Sequence, residues 1–175
     1  MKGKIYLDAE FSALYQKYKN PLFSYIFYLA GDRAVAEEIC QDVFLKVYLN
    51  IAKFENRSSF KTWIYKIAKN TYLDHVRARK REAPIDTIEI CAQEIQDKGI
   101  SPEEHAVNLA NRELISKTFH QMNEKYRMLV ILRDIQNLSY KEISDITEMT
   151  LNAVKTGIFR GRREFQKIYE ELEDL

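Results

Sequence analysis

The 175-residue chain carries 27 Lys and Arg against 26 Asp and Glu, a formal net charge of +1. Uniform charge therefore does not identify a polyanion binder, and only the distribution of charge along the chain can do so. The five glycines form no phosphate-binding loop, the two cysteines (Cys40, Cys91) have no CxxC neighbour, and His75, His105 and His120 lack metal-ligand spacing, so no cofactor or metal is expected.

The opening "MKGKIYLDAEF" lacks the apolar run of a secretion signal, and no apolar run reaches the ~20 residues of a membrane span, so a reduced, cytoplasmic chain is expected. Asp8 is positioned to cap a helix to about Tyr18, which Asn20-Pro21 should break, and a second helix should run to Ala30. Gly31-Asp32 supplies the next break and cap. A long helix then covers Arg33 to about Ile51, with Ile39, Val43 and Val47 facing a core. Glu38, Gln41, Asp42 and Leu45 share another face at i, i+3, i+4, i+7 spacing. Taken alone, that face is a solvated acidic surface.

The loop "KFENRSS" leads into "SSFKTWIYKIAKNTYLDHVRARKR", residues 58–81. At 100° per residue, Phe60, Ile64, Ile67 and Thr71 gather as a core stripe. Trp63, Lys66, Asn70, Leu73 and Arg77 form a second stripe, followed by Arg79, Lys80 and Arg81. Aromatic faces stack unpaired bases and cations hold phosphates, so this mixture suits single-stranded nucleic acid.

Residues 83–100 read as a linker, with a Pro, a Gly, several acids and no clean period. "SPEE" restarts helix, with Ser101 as N-cap, Pro102 at the first helical position and Glu104 closing a capping box. Helical segments follow at about 102–121, 124–136, 140–147 and 151–173. Ser139 and Glu142 form a second capping box, Leu138 and Ile143 occupy the staple positions, and Asn137 is suited to a left-handed helix end. "TEM", 147–149, has the length of a helix-turn-helix turn, and Thr150 caps the last helix. That helix has a predicted core stripe of Leu151, Val154, Ile158, Gly161, Phe165, Ile168 and Leu172. Its other face carries Asn152, Lys155, Thr156, Phe159, Arg160 and Arg163, types suited to base edges in a major groove.

Charge follows the same division. Residues 53–81 hold nine Lys and Arg against two acids, 83–113 hold seven acids against two cations, and 150–163 hold four cations and no acid. Two basic patches separated by an acidic stretch predict two contacts with a polyanion.

This order of motifs resembles the extracytoplasmic-function (ECF) sigma factors of bacterial RNA polymerase. "FSALYQKYKNPLFSYIFYLAGD" and "AEEICQDVFLKVY" resemble the start and the polymerase-binding helix of sigma region 2. "FKTWIYKIAKNTYLDHVRARKR" resembles its promoter-melting helix. "EKYRMLVILRDIQNLSYKEISDI" with "AVKTGIFRGRR" resembles region 4. The resemblance implies an all-α protein of two small helical domains, region 2-like (1–82) and region 4-like (101–175), joined by the acidic linker 83–100. It also implies a promoter-specificity subunit and no enzyme or small-molecule substrate. Partners would be core RNA polymerase (β′ clamp helices and β flap), promoter DNA as duplex and melted strand, and an anti-sigma factor.

Under that resemblance Glu38, Gln41, Asp42 and Leu45 would dock on the polymerase. Phe54, Asn56, Arg57, Ser58, Trp63, Lys66, Asn70 and Arg77 would meet the −10 element, with one base flipped into a loop pocket. Asn152, Lys155, Thr156, Phe159, Arg160 and Arg163 would read the −35 element. Trp63 is expected to buttress the surface rather than stack a base. Three positions depart from the family pattern: Gly157, where Arg is usual, and Asn152 and Glu148, which replace common glycines. Gly157 is expected to remove a cation from the groove. The linker, eighteen residues long, reaches at most roughly 60 Å. DNA elements one and a half turns apart need roughly 50 Å, so it can span them. A DNA-binding regulator without a polymerase partner is a competing reading; a metal-dependent nuclease is another, disfavoured by the lack of clustered carboxylates.

Overall fold

A computed structural model describes residues 2–54, 58–82 and 102–174, with side chains described over 10–52, 54, 58–81 and 111–174. The described residues form seven α-helices and no strand, an all-α fold in two helical halves. The predicted linker 83–100, the Ser101 cap, the Glu104 side chain and Cys91 lie outside the described residues.

The first helix, α1 (Lys2–Ala30), corrects the sequence reading: it starts well before Asp8 and runs without interruption through Pro21. A proline inside a helix removes one hydrogen bond and costs ~3 kcal/mol. Tyr18, Leu22, Tyr25 and Ile26, on either side of it, are all buried. Full burial of a large apolar side chain contributes ~1.5–3 kcal/mol, so packing outweighs the break signal. Gly31 ends α1 at φ +71, and its N–H donates to the Phe27 carbonyl at 2.7 Å. Asp32 then caps α2 (Arg33–Asn50), its Oδ1 accepting from the Val35 N–H at 2.9 Å. Ile39, Val43 and Val47 are buried as predicted, with Ala36, Cys40 and Phe44. Burial, and then nearby Glu37, push the Cys40 thiol up to about 12, so it stays protonated and unreactive.

A single 3₁₀ turn (Ile51–Lys53) leads toward α3 (Phe60–Glu82). The buried arc of α3 is wider than the predicted stripe. Ile64 and Thr71 are buried, Phe60 and Ile67 only partly, and Tyr65, Ala68, Lys69 and Tyr72 are buried as well. The reason is tertiary: α3 is covered on a second side by the C-terminal half.

In that half α4 spans Pro102–Gln121, starting at the predicted proline. Helix α5 (Glu124–Val130) continues as one π-helical turn, Ile131–Ile135, closed by the Gln136 N–H on the Ile131 carbonyl at 3.0 Å. Asn137 takes the left-handed conformation, φ +53. Ser139 and Glu142 form the predicted capping box of α6 (Tyr140–Thr147), and Leu138 and Ile143 beside it are fully buried. The Glu142 carboxyl is held low: burial works against this, but the Ser139 backbone and hydroxyl hydrogen bonds outweigh it. Thr150 caps α7 (Leu151–Glu173), accepting from the Ala153 N–H.

The two halves pack into one continuous core. Tyr28 and Phe119 meet with ring centroids 5.3 Å apart. Tyr65 donates its hydroxyl proton to Gln136 Oε1 at 2.5 Å, and Lys61 donates to the Gln136 carbonyl at 3.1 Å. Among the described residues no helix is long and apolar enough to cross a membrane, and no cluster of three or more His, Cys, Asp or Glu could hold a metal.

Candidate nucleic-acid and polymerase interfaces

The α2 face appears as its spacing predicts. Glu38, Gln41, Asp42 and Leu45 are all exposed, because burial of Ile39, Val43 and Val47 turns them outward. Leu45 is 57% exposed and Leu49, one turn on, 64%. Sequence reading missed Leu49, although its i+4 spacing from Leu45 was visible. Two exposed leucines beside acids make a surface with both apolar grip and electrostatic register.

On α3 the aromatic and polar parts of the predicted surface come together. Trp63 is partly buried, its ring 5.0 Å from Phe54 and 5.5 Å from Phe60, which is the packing of a buttress. Asn70 is exposed. Both border a groove of about 360 Å³, shared with Lys46, Asn50, Ile67 and Thr71. Lys46 donates to Thr71 Oγ1 at 3.0 Å. Sequence reading missed Lys46 and Asn50, because they belong to α2 and only packing brings them beside α3. Ser58 and Arg77 are exposed, and Arg77 pairs with Asp74 at 3.2 Å. Asn56 and Arg57 lie outside the described residues.

Lys66 points toward the C-terminal half, where its ammonium meets the Glu148 carboxylate at 2.7 Å. Glu148 sits in the helix-turn-helix turn at φ +61, a conformation that favours glycine. Its carboxyl is held below the usual range by the Lys66 hydrogen bond and charge, then by Lys69. Lys69 is nearly covered, and burial lowers its pKa against the opposing pull of Glu148. The departure at Glu148 thus has a partner on α3.

On α7, Asn152, Lys155, Thr156, Phe159, Arg160 and Arg163 are all exposed, Phe159 at 63%. The Arg163 guanidinium lies over the Phe159 ring, 5.9 Å from its centroid. Arg162 is used differently: it holds both Asp134 carboxylate oxygens, at 2.9 and 2.5 Å, and ties α7 to the end of the π-turn. Two expectations are corrected. Leu151 is 46% exposed, since burial on α7 begins only at Val154. Gly157 does not face the groove. It is buried, and an added Cβ would strike the tip of the Leu129 side chain. Gly161, one turn on, meets Val130 and the Tyr126 backbone. The glycines let α5 and α7 approach closely, so Gly157 removes no cation from the exposed face.

An all-helical chain that pairs an aromatic-cationic surface on one half with a helix-turn-helix on the other has the build of a two-region sigma subunit. The family model for Sigma-70 region 2 matches residues 14–82, and that for Sigma-70, region 4 matches residues 112–165. The chain is 31% identical over 172 residues to the ECF RNA polymerase sigma factor SigW of Bacillus subtilis, covering 94% of this chain and 90% of that one. It is 30% identical over 174 residues to SigX of the same organism, covering 96% and 90%. The chain belongs to the ECF family of RNA polymerase sigma factors. Its function is promoter-specific transcription initiation with RNA polymerase. The fold is also that of the sigma factor RpoE in complex with the anti-sigma factor NepR from Bartonella quintana, with a TM-score of 0.74 at 19% identity, covering 92% of this chain and 97% of that one. CnrH in complex with the cytosolic domain of CnrY follows, with a TM-score of 0.69 at 16% identity, covering 94% and 90%.

Proposed function

We propose that this sigma factor divides initiation between residues 1–82, which bind core polymerase and capture the melted −10 strand, and residues 101–175, which read the −35 duplex, with 83–100 as the span between them. It acts in the cytoplasm, as a regulator and not as an enzyme. The observation that carries the reading is the presence of three chemically distinct surfaces: an exposed acidic-apolar face on α2, a groove bordered by half-buried Trp63 and exposed Asn70 on α3, and an exposed polar-cationic face on α7. Glu38, Gln41, Asp42 and Leu45 dock on the polymerase. Phe54, Asn56, Arg57, Ser58, Trp63, Lys66, Asn70 and Arg77 form the −10 surface, with Trp63 as the buttress and the adjoining groove as the place for an extruded base. Asn152, Lys155, Thr156, Phe159, Arg160 and Arg163 enter the major groove. The solved complex of the sigma factor RpoE with the anti-sigma factor NepR, which shares this fold, supports such a partner here too.

Run-off transcription with core polymerase on genomic fragments, with start sites mapped, tests the whole reading. Duplex binding without any polymerase-dependent transcript would leave a simple DNA-binding regulator instead. For α7, Arg160→Ala should cost ~1–3 kcal/mol of duplex affinity and relax preference at one base pair. A contact to phosphate alone would instead weaken all sequences equally and lower the salt slope by about one. No change in either measurement removes Arg160 from the site.

For α3, Asn70→Ala should leave thermal stability nearly unchanged, because an exposed amide contributes little to folding. It should reduce strand melting seen by permanganate footprinting and blur −10 selectivity, since an amide that both donates and accepts suits a base edge. Trp63→Ala should lower the melting temperature of the free protein, with a loss of about 2 kcal/mol from its partial burial and ring contacts. Normal melting and selectivity with Asn70→Ala would end its role as a base reader.

A further inference from the structure

A cleft of about 350 Å³ lies between the two halves. His75, Arg79 and Lys80 of α3 line one wall, and His120, Glu124 and Arg127 of α4 and α5 line the other. Buried polar atoms without a protein partner concentrate there. Of the six side-chain atoms of that kind among the described residues, four belong to residues that line this cleft, just beneath its surface: His75 Nε2, His120 Nε2, Glu124 Oε1 and Arg127 Nε. Arg127 is only 9% exposed. Buried donors are normally satisfied, and a guanidinium buried with an unmet N–H is the costliest case.

The balance of charge selects the ligand. Three cations and two imidazoles face one carboxylate. A metal does not fit, because no three ligating side chains among the described residues converge and the cations repel it. Burial, and then the charge of Arg127, push His120 down to about 4, so its ring is neutral at neutral pH. An anion placed beside both would offset that repulsion. The volume falls within the ~300–1,000 Å³ of small-molecule sites.

We propose that this cleft binds a phosphate-bearing small molecule, clamped between Arg79 and Lys80 of one half and Arg127 of the other. Glu124 supplies selectivity. Among free ions, hydrogenphosphate at pH 7.5 keeps one O–H that can donate to the carboxylate, whereas sulfate has only acceptors and is repelled; a phosphate monoester, with a second pKa of about 6, keeps that O–H only in its minor monoanionic form and must gain affinity from the rest of the molecule. Because the walls belong to different halves, the anion holds them together. The His120 ring is seated against Gly31, where any Cβ would overlap it, so the contact is already close. The same closed arrangement pairs Lys66 with Glu148 and withholds a cation from the −10 surface. That consequence for transcription rests on the function proposed above; the binding site itself does not.

The test is calorimetric titration of the full chain in a phosphate-free buffer at pH 7.5 with inorganic phosphate, sulfate and adenosine monophosphate. Phosphate should bind once per chain and sulfate at least ~10-fold more weakly, the scale of one hydrogen bond to a charged group. Arg127→Gln should weaken phosphate by a similar factor. The double variant Arg79→Gln, Lys80→Gln should also weaken it and cannot fail through misfolding, since both side chains are exposed. Glu124→Gln should narrow the gap between phosphate and sulfate. Adenosine monophosphate binding more tightly than phosphate identifies a nucleotide as the source of the anion; equal or weaker binding identifies the free ion. The proposal is overturned if the wild-type chain takes up no phosphate saturably, or if the rim double variant and Arg127→Gln both bind it as wild type does.

Discussion

Reversing Glu38 and Asp42 to lysine together should weaken binding to core RNA polymerase by ~2–5 kcal/mol, the usual cost of removing charge-paired groups that become buried at an interface. The side chains are exposed in the free chain and one turn apart on α2, so nothing in the fold depends on them. Helical content and melting temperature should stay where they are. Most of the loss should appear as faster dissociation, with a smaller, salt-dependent change in association, since acids facing a basic partner steer approach as well as hold register. Leu45 and Leu49 lie on the same side and would supply the apolar part of the contact, so the double reversal should weaken binding without abolishing it. Binding by surface plasmon resonance at two salt concentrations is the measurement. A double variant that binds core polymerase as wild type does would show that α2 docks through another face.

Restoring the residue usual in the family at position 157 should damage this protein. Gly157 faces Leu129, which is 1% exposed, so Gly157→Arg forces a long cationic side chain into a filled contact between α5 and α7. Overpacking alone costs ~1–3 kcal/mol, and a buried guanidinium without a partner adds to it. A total of about 3 kcal/mol corresponds to a fall of roughly 10 °C in melting temperature for a chain of this size. Duplex affinity should fall with it, because the recognition helix loses its support. A gain in duplex affinity at unchanged melting temperature would instead return position 157 to the DNA face. Differential scanning fluorimetry and duplex titration on one preparation separate the two outcomes.

What could be read from the sequence was local. The capping box at Ser139 and Glu142, the Asp32 and Thr150 caps, the left-handed Asn137 and the start of α4 at Pro102 all appear in the structure. Each depends on a hydrogen bond or a φ angle set within a few residues. The exposed faces of α2 and α7 were legible for a related reason: helical period and one apolar stripe decide which way the remaining side chains turn.

Tertiary packing decided the rest. Pro21 did not break α1, because buried neighbours on both sides of it outweighed one lost hydrogen bond. The period of α7 already sets Gly157 on the buried side, three residues after Val154 and four before Gly161; only packing shows that its missing Cβ makes room for Leu129. Tyr65 and Tyr72 are buried where α3 meets both α1, through Tyr25 and the Leu29 carbonyl, and the C-terminal half, and Lys69 is buried beside Glu148. Lys46 reached the Trp63–Asn70 groove, and Glu148 reached Lys66, across separations no periodicity records. The sequence by itself therefore determined the helices from α2 onward, the caps at Asp32, Ser139 and Thr150, and the chemistry each face carries. The contacts between helices far apart in the chain, and with them the groove on α3 and the cleft between the halves, were decided only when the burial of both apolar surfaces brought the two halves together.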